Sequence, residues 1–172
     1  MTLMLLAKAS DSYACGVAGA PVTDWGLYDS HYTERFMDTP QENAEGYENG
    51  GILKYVDNYK GKLLIVHGTM DDNVHLQNSI QLIDALQEKK KDFEMMFYPG
   101  GRHGWGGNKG LHFDNLKTQF IYKNLLEKEF PGIVRVQADA ARVNRALERL
   151  MPEASSAGNL FIMDPMGWLM LT

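Results

Sequence analysis

A run of large aliphatic residues, Leu63-Leu64-Ile65-Val66, stops abruptly at His67-Gly68-Thr69, and Asp71, Asp72, Asn73 and His75 follow within the next few positions. A second histidine-bearing loop, Pro99-Gly100-Gly101-Arg102-His103-Gly104, closes a later apolar run. An aspartate and a histidine brought together form the orienting half of a nucleophilic triad: the carboxylate fixes the imidazole's tautomer, and the imidazole takes a proton from a hydroxyl or thiol. The same residues have plainer uses. Asp-Asp-Asn after a strand also serves as a helix N-cap, a side-chain oxygen accepting from an exposed backbone N–H, and a histidine between glycines also suits a surface loop. His67 and His75 would add imidazole to a metal site, but no tight ligand spacing such as HExxH accompanies them, so neither metal nor cofactor is expected.

For an aspartate and a histidine so far apart to meet, the elements carrying them must end side by side. Residues 15–20, 63–67 and 93–98 are apolar runs without clean alternation, as strands covered on both faces of a parallel sheet read. Between the second and third, Ile80, Ile83, Ala85 and Leu86 give residues 77–90 a helical repeat, which makes a βαβ unit. A glycine-rich loop, 100–110, precedes a helix over 113–130 marked by Leu116, Phe120, Ile121, Leu125 and Leu126. The expected class is α/β, parallel strands with covering helices. In such sheets functional groups gather beyond the carboxyl ends of the strands, where both candidate loops lie. Residues 25–59 are aromatic and polar, broken by Pro40, Gly46, Gly50 and Gly51, and read as a short helix followed by a long excursion. Beyond residue 130 the composition shifts, so the organisation expected is a main unit, 1–130, and a tail, 131–172. The tail holds an amphipathic helix at 138–150, a small-residue linker at 152–159, and a hairpin with Asp164-Pro165-Met166-Gly167 as its turn.

With 172 residues, 44% of them hydrophobic, the chain can bury one core of ordinary size. A net charge of -5 with interspersed signs does not favour nucleic acid as a partner. Cys15 is the single cysteine and cannot form an internal disulfide; its apolar neighbours predict a buried, inert thiol. Residues 1–6 are apolar but lack the basic leader and length of a targeting signal, and no run approaches the roughly 18 apolar residues of a membrane span.

Several stretches together carry a more specific likeness. Gly16-Val17-Ala18-Gly19-Ala20-Pro21-Val22-Thr23-Asp24-Trp25, Tyr28-Asp29-Ser30, Tyr32-Thr33-Glu34-Arg35-Phe36, the segment from Leu63 to His75, and Tyr98-Pro99 with His103-Gly104 resemble the catalytic domain of the prolyl oligopeptidase family of serine peptidases, in its dipeptidyl peptidase IV-like branch. The resemblance covers about residues 1–130 and implies the C-terminal portion of an α/β-hydrolase fold. It makes Asp71 the triad acid and His103 the base, Asn73 a holder of the substrate's backbone carbonyl, and Val22, Val74, Trp25, Tyr28 and Tyr32 the wall of a pocket for a small residue, commonly proline. The implied substrate is a peptide with proline or alanine in second position. Relatives are often exported or periplasmic.

The chain also departs from the family. The nucleophilic serine belongs on a G-x-S-x-G strand-to-helix turn, which the resemblance puts immediately before Met1, and no such motif occurs among the 172 residues. Residues 1–9 match the helix that follows it. Ser10, Ser12, Ser30 and Ser79 are the nearby hydroxyls, none on a glycine-flanked turn. The chain alone is therefore expected to be inactive or nearly so, and the partial sheet to want a partner along its edge, either a second copy or the missing N-terminal part of the same fold. Two alternatives stand beside a peptidase part: a non-catalytic peptide-binding or scaffold protein, and a hydrolase of small esters on the same fold. Residues 160–171 loosely resemble the last strand pair of thioredoxin-like cytochrome oxidase assembly proteins.

Overall fold

The strand β2 (Lys62–Gly68) is the axis of the fold. Its side chains alternate with the two-residue period of a strand, so that Leu63 and Ile65 enter one apolar layer and Leu64 and Val66 the other, each 1% exposed or less. Burial of such a side chain is worth about 1.5–3 kcal/mol, and the demand for it on both faces explains a run with no polar alternation. The computed structural model describes residues 1–126, 161–163 and 169–171, and the chain divides into the units Met1–Ile133 and Val134–Thr172.

In the first unit, β1 (Cys15–Gly19) and β3 (Glu94–Tyr98) flank β2, both parallel to it. Parallel neighbours need a crossover, and α4 (Gln77–Glu88) supplies the one between β2 and β3. One face of the sheet is covered by α1 (Thr2–Lys8) through Leu3 and Leu6, by a 3-10 turn (Leu53–Asn58) through Val56, and by α4 through Leu82 and Leu86. On the other face α5 (Gly107–Ile121) contributes Phe113, Leu116 and Phe120. This is part of an α/β-hydrolase fold, with α1 where the resemblance puts the helix after the serine turn.

Several expectations need correction. Only β2 is buried along nearly its whole length; β1 is half-buried over most of its residues and β3 runs from exposed at Glu94 and Met95 to buried at Tyr98, each having a strand on one side only among the described residues. Cys15, expected buried, is half-exposed for the same reason, being the first residue of β1. Residues 25–59 hold more order than one short helix: a 3-10 turn (Trp25–Leu27), α2 (Ser30–Met37), α3 (Ala44–Gly50) and the turn Leu53–Asn58. Side-chain caps set these starts, Asp24 accepting from Gly26 N, Asp29 from Tyr32 N and Asn43 from Gly46 N. The last covering helix begins at Gly107, inside the expected glycine-rich loop, and Tyr122–Leu126 continue it as a π turn. Gly110 lies inside this helix, and glycine is needed there because a Cβ would lie 2.6 Å from the Trp105 carbonyl oxygen.

In the second unit β4 (Phe161–Met163) pairs antiparallel with β5 (Leu169–Leu171), Phe161 opposite Leu171 and Met163 opposite Leu169. The expected turn residues Asp164 to Gly167 and the helix at 138–150 lie outside the described residues.

Candidate active site

The carboxyl ends of β2 and β3 carry two loops that are bonded to each other before any side chain is considered. Thr69 N donates to Tyr98 O (3.1 Å) and Met70 N to Gly101 O (2.9 Å), while Thr69 Oγ1 accepts from Gly100 N (2.9 Å). Gly68 permits this approach: a Cβ there would stand 2.3 Å from the Arg102 carbonyl oxygen and 2.4 Å from that of Gly101. Gly100, at φ 68°, makes the turn that brings the second loop back over the first.

These contacts set Asp71 against His103. Asp71 Oδ1 accepts from the backbone N–H of Asn73 and of Val74, both at 3.0 Å, which turns Oδ2 towards His103 Nδ1 at 3.0 Å. The Asp71 side chain is fully buried and His103 is 44% exposed, so the pair runs from the interior to the surface. Burial pushes the Asp71 carboxyl up, but the hydrogen bond from His103 and those from the backbone of Asn73 and Val74, with the charge of His103, outweigh it and hold the group below its ordinary value. The carboxylate places the proton of His103 on Nδ1 and leaves Nε2 as the ring nitrogen for proton exchange. Asp72 instead bonds Arg102 Nη1 at 2.7 Å on the surface. Asp71 thus makes two kinds of contact at once: it caps the turn with one oxygen and meets the histidine with the other.

An open cleft of about 740 Å³ lies beside the pair, lined by Tyr28, Asp29, Asp72, Asn73, Arg102, His103 and Gly104. Tyr28 Oη donates to Asn73 Oδ1 at 2.7 Å. Burial, with the nearby Asp29, Tyr32 and Asp71, raises the Tyr28 phenol above its ordinary value, which keeps it a neutral donor. Trp25, Tyr28 and Tyr32 form one aromatic group, Tyr28 set edge-on to Trp25 at 6.0 Å and to Tyr32 at 5.5 Å, and Trp25 stacked with Tyr32 at 6.4 Å. Of the residues singled out from sequence, Tyr28, Asn73 and His103 line the cleft and Asp71 stands behind His103. Val74 is buried beneath the acid loop, while Val22, Trp25 and Tyr32 are not among the lining residues.

The first turn of α4 anchors this arrangement, and sequence reasoning missed it. Asn78, fully buried, accepts from Thr23 N (2.9 Å) and Asp24 N (3.3 Å) through Oδ1 and from Thr23 Oγ1 (2.7 Å) through its carbonyl, which ties down the segment bearing Val22 and Trp25. Its own amide donates to His75 O (3.2 Å). The available signal was a polar pair, Asn78-Ser79, on the buried side of an otherwise amphipathic helix. Among the candidate hydroxyls, Ser30 opens α2 and is exposed, whereas Ser79 is buried with Oγ 2.7 Å from His67 Nδ1. No cluster of three or more metal-ligating side chains occurs among the described residues.

The parallel strands and covering helices carry a hydrogen-bonded aspartate–histidine pair beyond the strands' carboxyl ends, and comparison with known proteins supplies the lineage. The chain belongs to the prolyl oligopeptidase family of serine peptidases, whose family model matches residues 1–128. It is 43% identical over 111 residues to dipeptidyl peptidase 4 of Sus scrofa, an overlap of 63% of this chain and 14% of that protein. It is 39% identical over 121 residues to the prolyl endopeptidase FAP of Homo sapiens, covering 69% of this chain and 16% of the relative. The crystal structure of Porphyromonas gingivalis dipeptidyl peptidase 4 superposes with a TM-score of 0.70 at 45% identity, over 72% of this chain and 18% of the other. The chain thus spans less than a fifth of each of these relatives.

Proposed function

We propose that this chain carries the acid–base half of a serine-type dipeptidyl aminopeptidase site, with Asp71 as acid, His103 as base and the aromatic cleft as the seat of a proline or alanine residue. The observation that supports it most is the Asp71–His103 hydrogen bond of 3.0 Å from a fully buried carboxylate held by two backbone N–H groups. In this role His103 Nε2 takes the proton of a serine hydroxyl as it attacks the peptide carbonyl and returns it to the leaving amine, and Asp71 balances the imidazolium formed in between. Asn73 orients the peptide through its side-chain amide, with its Oδ1 already fixed by Tyr28. The ring of Tyr28, which lines the cleft with Tyr32 packed edge-on behind it, offers apolar surface to a pyrrolidine ring.

The nucleophile on its G-x-S-x-G turn is not among these 172 residues. With Ser79 buried and engaged by His67, the reading has the serine and its oxyanion N–H come from outside them, and has the chain alone inactive. Among the described residues the outer edges of β1 and β3 are unpaired with further strands, and the rest of the same fold, or a second copy, would complete them. The test is hydrolysis of a Gly-Pro chromogenic amide by the 172-residue chain and by a longer chain joining it to a segment with the serine turn. Turnover by the longer chain only, lost on His103→Ala, is the expected result. Peptide binding by both with cleavage by neither would overturn the catalytic role in favour of a peptide-binding protein.

A further inference from the structure

We infer that His67 is a positioning residue that holds the acid loop closed and fixes Asp71 in the one orientation that meets His103. His67 is the last side chain of β2 before the loop and is fully buried. Its Nε2 lies 2.8 Å from the carbonyl oxygen of Val74 and 3.3 Å from Asp71 Oδ2, and its Nδ1 lies 2.7 Å from Ser79 Oγ. A carbonyl only accepts, so Nε2 bears a proton and donates it to Val74, while Nδ1 shares a second hydrogen bond with the Ser79 hydroxyl.

The consequence for Asp71 follows from who touches what. Val74 is gripped at both ends of its peptide units: its N–H donates to Asp71 Oδ1 and its carbonyl accepts from His67. Asp71 Oδ1 is occupied by two backbone N–H groups, and Oδ2 sits between two imidazoles, with His103 Nδ1 at 3.0 Å and His67 Nε2 at 3.3 Å. Rotation of the carboxylate would break contacts on both oxygens at once. Without the His67 N–H, the Val74 carbonyl is left buried without its donor and the loop can relax, taking the carboxylate out of line. Buried orienting groups of this kind act through the residue they hold and not on substrate.

The kinetic consequence rests on the peptidase reading above; the geometric claim does not. The first measurement is imidazole nitrogen NMR of the 172-residue chain. The expected result is a proton on His67 Nε2, together with a low-field proton on His103 Nδ1. A His67 protonated on Nδ1 alone, with Nε2 bare, overturns the inference and needs no variant. His67→Phe keeps the ring's bulk and removes both nitrogens; it should abolish the His103 low-field signal while the amide signals of the sheet persist. His67→Gln, whose amide can still donate to Val74, should retain it. An unchanged His103 signal in His67→Phe also overturns the inference. In a longer serine-bearing chain, His67→Phe should lower kcat by about ten- to a hundredfold with KM within about twofold, and a raised KM at unchanged kcat would contradict positioning. If that longer chain cleaves nothing while the NMR results stand, the peptidase reading fails and the positioning contact is supported.

Discussion

Gly68→Ala isolates the contact between the two loops from every other property of the site. The added methyl would stand 2.3 Å from the Arg102 carbonyl oxygen, and Gly68 does not have the left-handed backbone seen at Gly100, so the penalty is steric and not conformational. An ordinary carbon–oxygen contact is roughly 3.3 Å, so the strand end and the histidine loop must part by about 1 Å. Carried to the adjacent site, that opening stretches the Asp71–His103 hydrogen bond from 3.0 Å to about 4 Å, outside the range in which such a bond survives. Two expectations follow: a stability loss of about 1–3 kcal/mol from overpacking, and disappearance of the His103 Nδ1–H resonance even where the protein remains folded. In a longer chain with the serine turn, a displacement of this size should cost about a hundredfold in kcat. Gly19→Ala, at a position where a Cβ meets nothing within 4 Å, is the control and should be silent in all three measurements. If Gly68→Ala keeps both the low-field resonance and the wild-type denaturation midpoint, the close approach of the loops does not set the catalytic geometry.

Asp71 titrates below its ordinary value when folded, so the stability it contributes is complete above the unfolded carboxylate pKa and is lost as pH falls through the lower folded one. Asp71→Asn should remove that part of the acid dependence in denaturant melts taken across acidic pH. Tyr59, buried, with its hydroxyl bonded to Gly61 O and Asp92 O, is pushed from 10.0 up to about 12, first by burial and then by Asp92. Its contribution is therefore complete below pH 10 and is lost as pH rises from there to about 12; Tyr59→Phe should flatten this alkaline loss, followed by tyrosinate absorbance and circular dichroism. Lys90, at φ 53°, occupies the left-handed position after α4, with Lys90 N donating to Gln87 O and Lys91 N to Leu86 O. Glycine is favoured there, and Lys90→Gly should raise stability by about 0.5–1 kcal/mol, seen as a higher thermal midpoint.

The parts of the fold written in a repeating pattern were legible. β2 follows from an unbroken run of four aliphatic residues, and α4 from the helical repeat that includes Ile83 and Leu86, although Ile80 of that repeat is exposed and the buried Leu82 stands outside it. The meeting of Asp71 with His103 was legible as a consequence of strand ends lying side by side, and the likeness to known peptidases sharpened it. Residues 25–59 were legible only as one short helix, because their helices are seven or eight residues long and begin at side-chain caps such as Asp29 and Asn43, which leave little apolar period to detect. The start of α5 was hidden by a cluster of glycines: Gly106 and Gly107 have no close neighbour, Gly107 takes φ 57°, and of the three at this start only Gly110 is held by close packing. Asn78 was hidden for a different reason: a polar residue on a helix's inner face carries no local mark of its partner, and Thr23 lies 55 residues away.

The first turn of α4 joins two properties that an enzyme would gain from keeping apart. Asn78 fixes the segment bearing Val22 and Trp25, and its neighbour Ser79 fixes the histidine beneath the acid loop. Any change that re-aims that segment to admit a bulkier residue pulls on the peg that also seats the carboxylate. Under the proposed peptidase role, evolution towards a new preference would be pleiotropic: the first steps that widen the choice of residue would also slow the chemistry, and a second substitution on α4 would be needed to restore it.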